Sequence, residues 1–141
     1  MTREQFDCMT YDVIGCAYAV HSGLGPGLLE SAYEHCLVHE IEAKGHRVRS
    51  QVPLPLVYKS VHLEVGYRID LLVNNILIIE VKAIDILTDL HKAQLNTYLQ
   101  LTSLDIGLLM NFNVRNMQKG IHRIVRKGAE FWSKKPIREN R

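Results

Sequence analysis

Apolar residues recur at three- and four-residue steps from about Arg3 to Ser22, where Phe6, Met9, Val13, Ile14, Ala17 and Val20 mark one face of a helix. Gly23-Leu24-Gly25-Pro26-Gly27 breaks the pattern. A glycine-rich loop ahead of a helix can cradle phosphate, but no strand precedes this one and Pro26 contributes no N–H. A helix-to-helix turn is the better reading, with Pro26 near the first position of the next helix. That second helix is expected from about Gly27 to Lys44, burying Leu29, Tyr33, Cys36, Leu37 and Ile41 and ending at Gly45.

The pattern then changes to runs suited to strands. His46 to Val65 reads as two antiparallel strands around a turn at Lys59-Ser60, and Pro53 and Pro55 put the first of them at an edge or on a bulge, because neither has an N–H to donate. Tyr67 to Val73 and Ile76 to Lys82 form a hairpin about Asn74-Asn75, apolar at nearly every position, as in a central sheet covered on both faces. Thr88 is the expected N-cap of a helix reaching about Leu101, with His91, Gln94 and Tyr98 in one polar stripe and Leu90, Ala93, Leu95 and Leu99 on its other faces. Leu104 to Met110 reads as another buried strand and Gly120 to Val125 as the last. The order predicts a single α/β domain with a mixed sheet.

The length of 141 residues agrees with one domain. Cys8, Cys16 and Cys36 are odd in number and form no Cys-x-x-Cys pair, which points to reduced thiols in a cytoplasmic setting and excludes a four-cysteine cluster or zinc site. No signal peptide and no bilayer-length apolar run is evident, so no membrane association is expected. Charge is unevenly placed. Residues 1–114 hold 8 basic and 13 acidic residues, a formal −5, whereas residues 115–141 hold 9 basic and 2 acidic, a formal +7. This basic end, densest from about residue 126, either contacts phosphates or acts as a solvated tail, and Trp132 beside Phe131 either stacks on a base or packs the last turn.

Asp70 and the run Glu80-Val81-Lys82 place two carboxylates and an ammonium on neighbouring strands. Carboxylate oxygens are the hard ligands that Mg²⁺ or Mn²⁺ prefers, and a lysine beside them can hold water or neutralise charge growing on phosphate, the minimal set for metal-assisted phosphodiester hydrolysis. The competing reading is a salt-bridged strand edge. Parity separates the two. A strict two-residue loop at Asn74-Asn75 would set Asp70 opposite Ile79 and turn Glu80 and Lys82 to the other face. A metal site therefore requires a three-residue loop or a bulge near Asp70. Glu30 and Glu34 lie one turn apart on the second helix, where Glu30 also suits the positive end of the helix dipole. His35 and His39 have metal-ligand spacing but no third partner, and a solvated face is the simpler account.

Four segments together resemble a known group. Gly27-Leu28-Leu29-Glu30-Ser31-Ala32-Tyr33 matches the motif that names the GxxExxY family, and Asp70 with Glu80-Val81-Lys82 looks like the core of the PD-(D/E)XK nuclease superfamily. His91 to Leu99 resembles the family's Gln-x-x-x-Tyr helix, and Gly107 to Asn113 its following strand. The similarity spans roughly residues 10–125; Ile69 stands where the superfamily's named proline precedes the first acid.

The resemblance implies a restriction-endonuclease-like domain over residues 1–141, with a mixed central sheet flanked by helices, and a metal-dependent nuclease acting on DNA. It implies Asp70, Glu80 and the Val81 carbonyl as ligands of Mg²⁺, for which Mn²⁺ can substitute, and Lys82 orienting the attacking water and stabilising the phosphate. Glu30 completes the acidic cluster directly or through water, and Gln94 and Tyr98 position the substrate or the lysine. Analogy with junction-resolving nucleases leaves structure-specific cleavage by a homodimer open. Two alternatives stand beside this: a nucleic-acid-binding module that keeps the fold without cleaving, and a protein-interaction domain in which the carboxylates pair with Lys82 and Arg68.

Overall fold

A computed structural model describes residues 1–64 and 66–129. Its elements follow the order α1 (Arg3–Leu24), α2 (Glu30–Ala43), β1 (Val48–Pro53), β2 (Leu56–Tyr58), β3 (Val61–Leu63), β4 (Arg68–Val73), β5 (Leu77–Lys82), α3 (Asp89–Thr102), β6 (Ile106–Asn111) and β7 (Ile121–Val125), with a 3₁₀ turn at Met117–Gly120. The main sheet is mixed, in the order β1-β4-β5-β6-β7, with only the β5–β6 pair parallel.

Helices α1 and α2 cover one face, where Phe6, Val13, Ala17, Tyr33, Leu37 and Ile41 pack on Leu71, Leu77, Ile79, Val81, Leu108 and Met110. Helix α3 covers the other with Leu95, Tyr98 and Leu99 against Ile78 and Leu109. Gly107 brings Leu95 onto the sheet, since a Cβ at that position would meet the leucine side chain at 2.8 Å. Both faces of β5 are therefore dry, in keeping with its unbroken apolar run.

Several sequence expectations change. α2 begins at Glu30, not near Gly27, and Leu29 is its exposed N-cap residue, while Cys36 is exposed as well. The late start has a local cause: the buried Tyr33 hydroxyl donates to the Gly25 carbonyl at 2.6 Å and accepts the Leu28 N–H at 3.1 Å, holding the preceding loop extended. Pro26 accordingly lies in that loop, outside the helix. The region between residues 46 and 65 forms three strands in place of two. β1 joins the main sheet as its edge, and β2 and β3 make a separate two-stranded arm after Pro53 and Pro55 interrupt the ladder. Leu90 is exposed, whereas Tyr98 is buried, so the α3 stripe is less polar than its composition implies. Trp132, Phe131, Lys134, Lys135, Arg138 and Arg141 lie outside the described residues.

The hairpin meets the parity requirement. Val73 pairs with Leu77, Leu72 with Ile78 and Leu71 with Ile79, leaving a three-residue loop. Asn74 and Asn75 adopt φ of 51° and 59° and Ile76 N–H donates to the Val73 carbonyl, so Ile76 is the added residue. Continued one step, this register sets Asp70 opposite Glu80. A second irregularity coincides with it. Val48 and Val73 belong to the α1/α2 layer, but Val52 and Ile69, each four residues along its strand, pack in the α3 layer. The β1–β4 pair thus changes face between them, at Gln51 and Asp70, where Gln51 has φ of 52° and the pairing is interrupted.

Candidate active site

Where the β4–β5 ladder stops, side chains take over its hydrogen bonds. The Asp70 N–H donates to Glu80 Oε2 at 2.9 Å, and the Val81 N–H donates to Asp70 Oδ2 at 2.8 Å. Val81 therefore turns its main-chain polar edge toward Asp70, and a strand residue's carbonyl leaves by the same edge as its N–H. On β5, Ile78 packs in the α3 layer, so Glu80 and Lys82 share that face by alternation. Asp70, Glu80, Lys82 and the Val81 main chain are thus brought together at one end of the β4–β5 pair.

Helix α2 supplies further acids. Glu30 Oε2 accepts the Ala83 N–H at 3.2 Å, tying the first turn of α2 to the exit of β5. Glu34 accepts two hydrogen bonds from Gln51 Nε2, at 2.9 and 3.2 Å, and the same amide reaches Asp70 Oδ1 at 3.4 Å. Gln51 therefore bridges two carboxylates from the strand that bends beside them. From the other side, α3 brings Tyr98, which accepts a hydrogen bond from Gln94 at 3.1 Å and sits edge-on to Tyr67 with centroids 6.3 Å apart. His91 is used locally, where its Nδ1 lies 3.0 Å from both the Thr88 N–H and hydroxyl and caps the helix. Asn111, 3% exposed, holds the loop after β5 through bonds to both the N–H and carbonyl of Ile84.

The electrostatics follow from this crowding. Burial, reinforced by the charge of Asp70, pushes the Glu80 carboxyl up to about 8, against the opposing Asp70 N–H and Lys82 ammonium. Burial likewise raises Asp70, opposed by the Val81 N–H, Lys82 and Gln51. Glu34 is raised by burial, with Asp70 and Glu30 adding to it, and Tyr98 by burial and the charge of Glu80. Among the described residues, neither Lys82 nor Arg68 forms an ion pair with these acids, contrary to a salt-bridged strand edge. Arg126, counted above among the basic residues, is committed to Asp105 at 2.7 Å.

Among the described residues no three His, Cys, Asp or Glu side chains converge as a ready-made metal cluster. Two carboxylates and a carbonyl are nevertheless hard oxygen donors, a set that suits an ion which keeps several waters, such as Mg²⁺. A cation there would offset the desolvation and mutual repulsion that raise Glu80 and Asp70. Sequence reading named Asp70, Glu80, Lys82, Glu30, Gln94 and Tyr98, and the fold gathers all six at one end of the sheet. It missed Glu34 and Gln51 as members of the cluster. Helical spacing from Glu30 was the available signal for Glu34; Gln51 offered none.

No curated protein and no solved structure matches the chain. The family model of the PD-(D/E)XK nuclease superfamily matches residues 7–124. With its five-stranded mixed sheet flanked by helices, as in a restriction-endonuclease-like fold, the chain belongs to the PD-(D/E)XK nuclease superfamily.

Proposed function

We propose that this protein is a divalent-metal-dependent nuclease that hydrolyses DNA phosphodiester bonds, and that it belongs to the GxxExxY group of its superfamily. The observation that carries the reading is the pairing of Asp70 with Glu80 on the strands that also present Lys82. Asp70, Glu80 and the Val81 carbonyl hold Mg²⁺, with Mn²⁺ as a substitute. When bound, the ion supplies Lewis-acid stabilisation of charge on the phosphate. Lys82 brings a compact positive charge beside the two carboxylates, where it orients the attacking water and stabilises the pentacovalent phosphate. Glu30 and Glu34 extend the acidic cluster, Gln51 sets the Asp70 carboxylate, and Gln94 with Tyr98 positions the substrate. The Gly27-to-Tyr33 motif has a mechanical rationale: Gly27 takes φ of 98°, Glu30 reaches the end of β5, and Tyr33 fastens the loop between them.

One observation favours a second reading, a binding module that does not cleave: both central carboxylates already accept main-chain N–H groups. The two readings separate on incubation of the protein, and of its Glu80→Ala and Lys82→Ala variants, with single-stranded, duplex, nicked and branched DNA in Mg²⁺, Mn²⁺ or EDTA. Metal-dependent cleavage lost in both variants supports the nuclease and identifies its substrate. Salt-sensitive binding without cleavage supports the module.

A further inference from the structure

We propose that Tyr67 is a stacking platform for one unpaired base of the nucleic acid, next to the phosphate on which the acidic pair acts, so that the preferred substrate is single-stranded or carries an unpaired segment. The inference rests on the nuclease reading above and adds a residue outside the motifs already described.

The position of Tyr67 follows from the strand it precedes. It is the residue before β4 and stands three positions ahead of Asp70. Three extended residues span at most roughly 10 Å between Cα atoms, a gap bridged by the base of a nucleotide whose phosphate lies at the carboxylates. Ile69 packs in the α3 layer, and Tyr67, two residues earlier, turns to the same layer, where its ring meets that of Tyr98 with centroids 6.3 Å apart and planes at 61°. Tyr98 shares its apolar cluster with Ile78, which lies two residues before Glu80 on the same face of β5. The Tyr67 ring therefore stands on the α3 side of the acidic pair, next to Tyr98.

Two anchors hold it there. The Leu54 N–H donates to the Tyr67 carbonyl at 2.8 Å, carrying the β1–β4 ladder one residue past the Pro53–Arg68 pair, and Leu54 is itself buried in the α3 layer. The edge contact with the buried Tyr98 fixes the ring. Tyr67 nevertheless remains 44% exposed. An aromatic side chain already ordered at backbone and ring loses little further entropy when a ligand covers it. Tyr58, also exposed, differs in lying beneath the Lys59 ammonium, 5.5 Å from its ring centre, at the turn of the β2–β3 arm. Every base has a π-face that can stack on a ring, but in a duplex neighbouring bases occupy those faces. A platform beside the carboxylates thus selects an unpaired base and tolerates any sequence.

The test is fluorescence anisotropy in Ca²⁺ over a range of salt with three labelled ligands of equal length: a thymidine single strand, a strand of abasic residues on the same backbone, and a duplex. Cleavage of each in Mg²⁺ is measured alongside. Tyr67→Ala should raise the Kd for the thymidine strand about tenfold. Its affinity for the abasic strand and the duplex should stay within about twofold of wild type, with the salt slope unchanged because no phosphate contact is lost. Tyr67→Leu, which keeps apolar bulk against Tyr98 but has no π-face, should behave like Tyr67→Ala, whereas Tyr67→Phe and Tyr67→Trp should bind as wild type does. Tyr11→Ala removes an exposed tyrosine from α1, across the sheet, and should change none of these values. Melting temperatures establish that each variant folds. Equal binding of the thymidine strand by wild type, Tyr67→Ala and Tyr67→Leu would overturn the inference, as would a loss of the same size on the abasic strand or the duplex; normal cleavage by wild type would then leave the nuclease reading standing. If wild type binds but does not cleave, the binding arm still decides the inference while the nuclease reading falls. Failure of wild type to bind any nucleic acid overturns both.

Discussion

Asp70 and Glu80 complete each other's strand: the Asp70 main chain donates to the Glu80 carboxylate at 2.9 Å, and the Asp70 carboxylate accepts the next N–H of β5, from Val81, at 2.8 Å. Two acids thus do the work of a ladder pair. That exchange replaces the regular ladder at this end of the two strands and leaves Leu71, Leu72 and Val73 regularly paired behind it.

Because each carboxylate serves both the backbone and the proposed ion, Asp70→Asn and Glu80→Gln should reduce cleavage about a hundredfold or more while leaving nucleic-acid binding within a few-fold of wild type. Single-turnover cleavage beside equilibrium binding checks this. Near-normal cleavage by Glu80→Gln would refute the assignment.

The raised Glu80 carboxyl has a definite sign in folding. Its folded value of about 8 exceeds the ordinary 4.5, so between those pH values the folded state holds a proton that the unfolded chain has released. Metal-free stability should therefore fall as pH rises from about 5 to 8, with a limiting slope near 1.4 kcal/mol per pH unit for one group. Asp70 and Glu34, also raised, act in the same direction. Thermal melts in EDTA should show this decline, and Glu80→Gln should flatten it. An identical pH profile for the variant would be the contrary result.

Divalent ions should reverse that loss. An ion bound by the folded state alone stabilises it by about 2.7 kcal/mol at a hundred times its Kd. The rise in melting temperature on adding Mg²⁺ or Mn²⁺ should be larger at pH 8 than at pH 6, because protonated carboxyls must release protons to bind. Asp70→Asn should abolish the rise. A shift that survives in that variant places the ion elsewhere.

Gln51 combines an unusual backbone with a useful side chain. Its φ of 52° costs a non-glycine residue on the order of 1 kcal/mol, so Gln51→Gly should leave the melting temperature unchanged or slightly raised. Losing the amide that links Glu34 to Asp70 should nevertheless lower cleavage about tenfold. Gln51→Asn tests the amide separately. Equal losses of stability and activity in Gln51→Gly would make the residue merely structural.

Tyr33→Phe keeps the ring that stacks on Phe112 at 4.7 Å but removes the hydroxyl that fastens Gly25 and Leu28. The expected cost is about 1–2 kcal/mol, a drop of a few degrees in melting temperature. Hydrogen exchange should rise mainly between residues 25 and 30. Unchanged protection there would show that the loop holds itself.

Much of this architecture can be read along the chain. The helical repeat of Phe6, Met9, Val13 and Ala17, the two-sided apolar run of β5 and the Thr88 cap all act within a few residues of themselves, and each lies in its expected element. Even the demand for one extra residue in the Asn74 hairpin followed from parity, since period-two alternation makes the face of a side chain a matter of counting. What counting left open was whether the hairpin would meet that demand, and where its neighbours would bend. The left-handed turn of Gln51, the approach of Glu34 to it, and the reach of Glu30 to the end of β5 depend on how strands and helices distant in sequence pack together. Those contacts have no local period, because the core beneath them sets their spacing. The residues of the site are therefore legible in one dimension, while their coupling exists only once the sheet has closed around them.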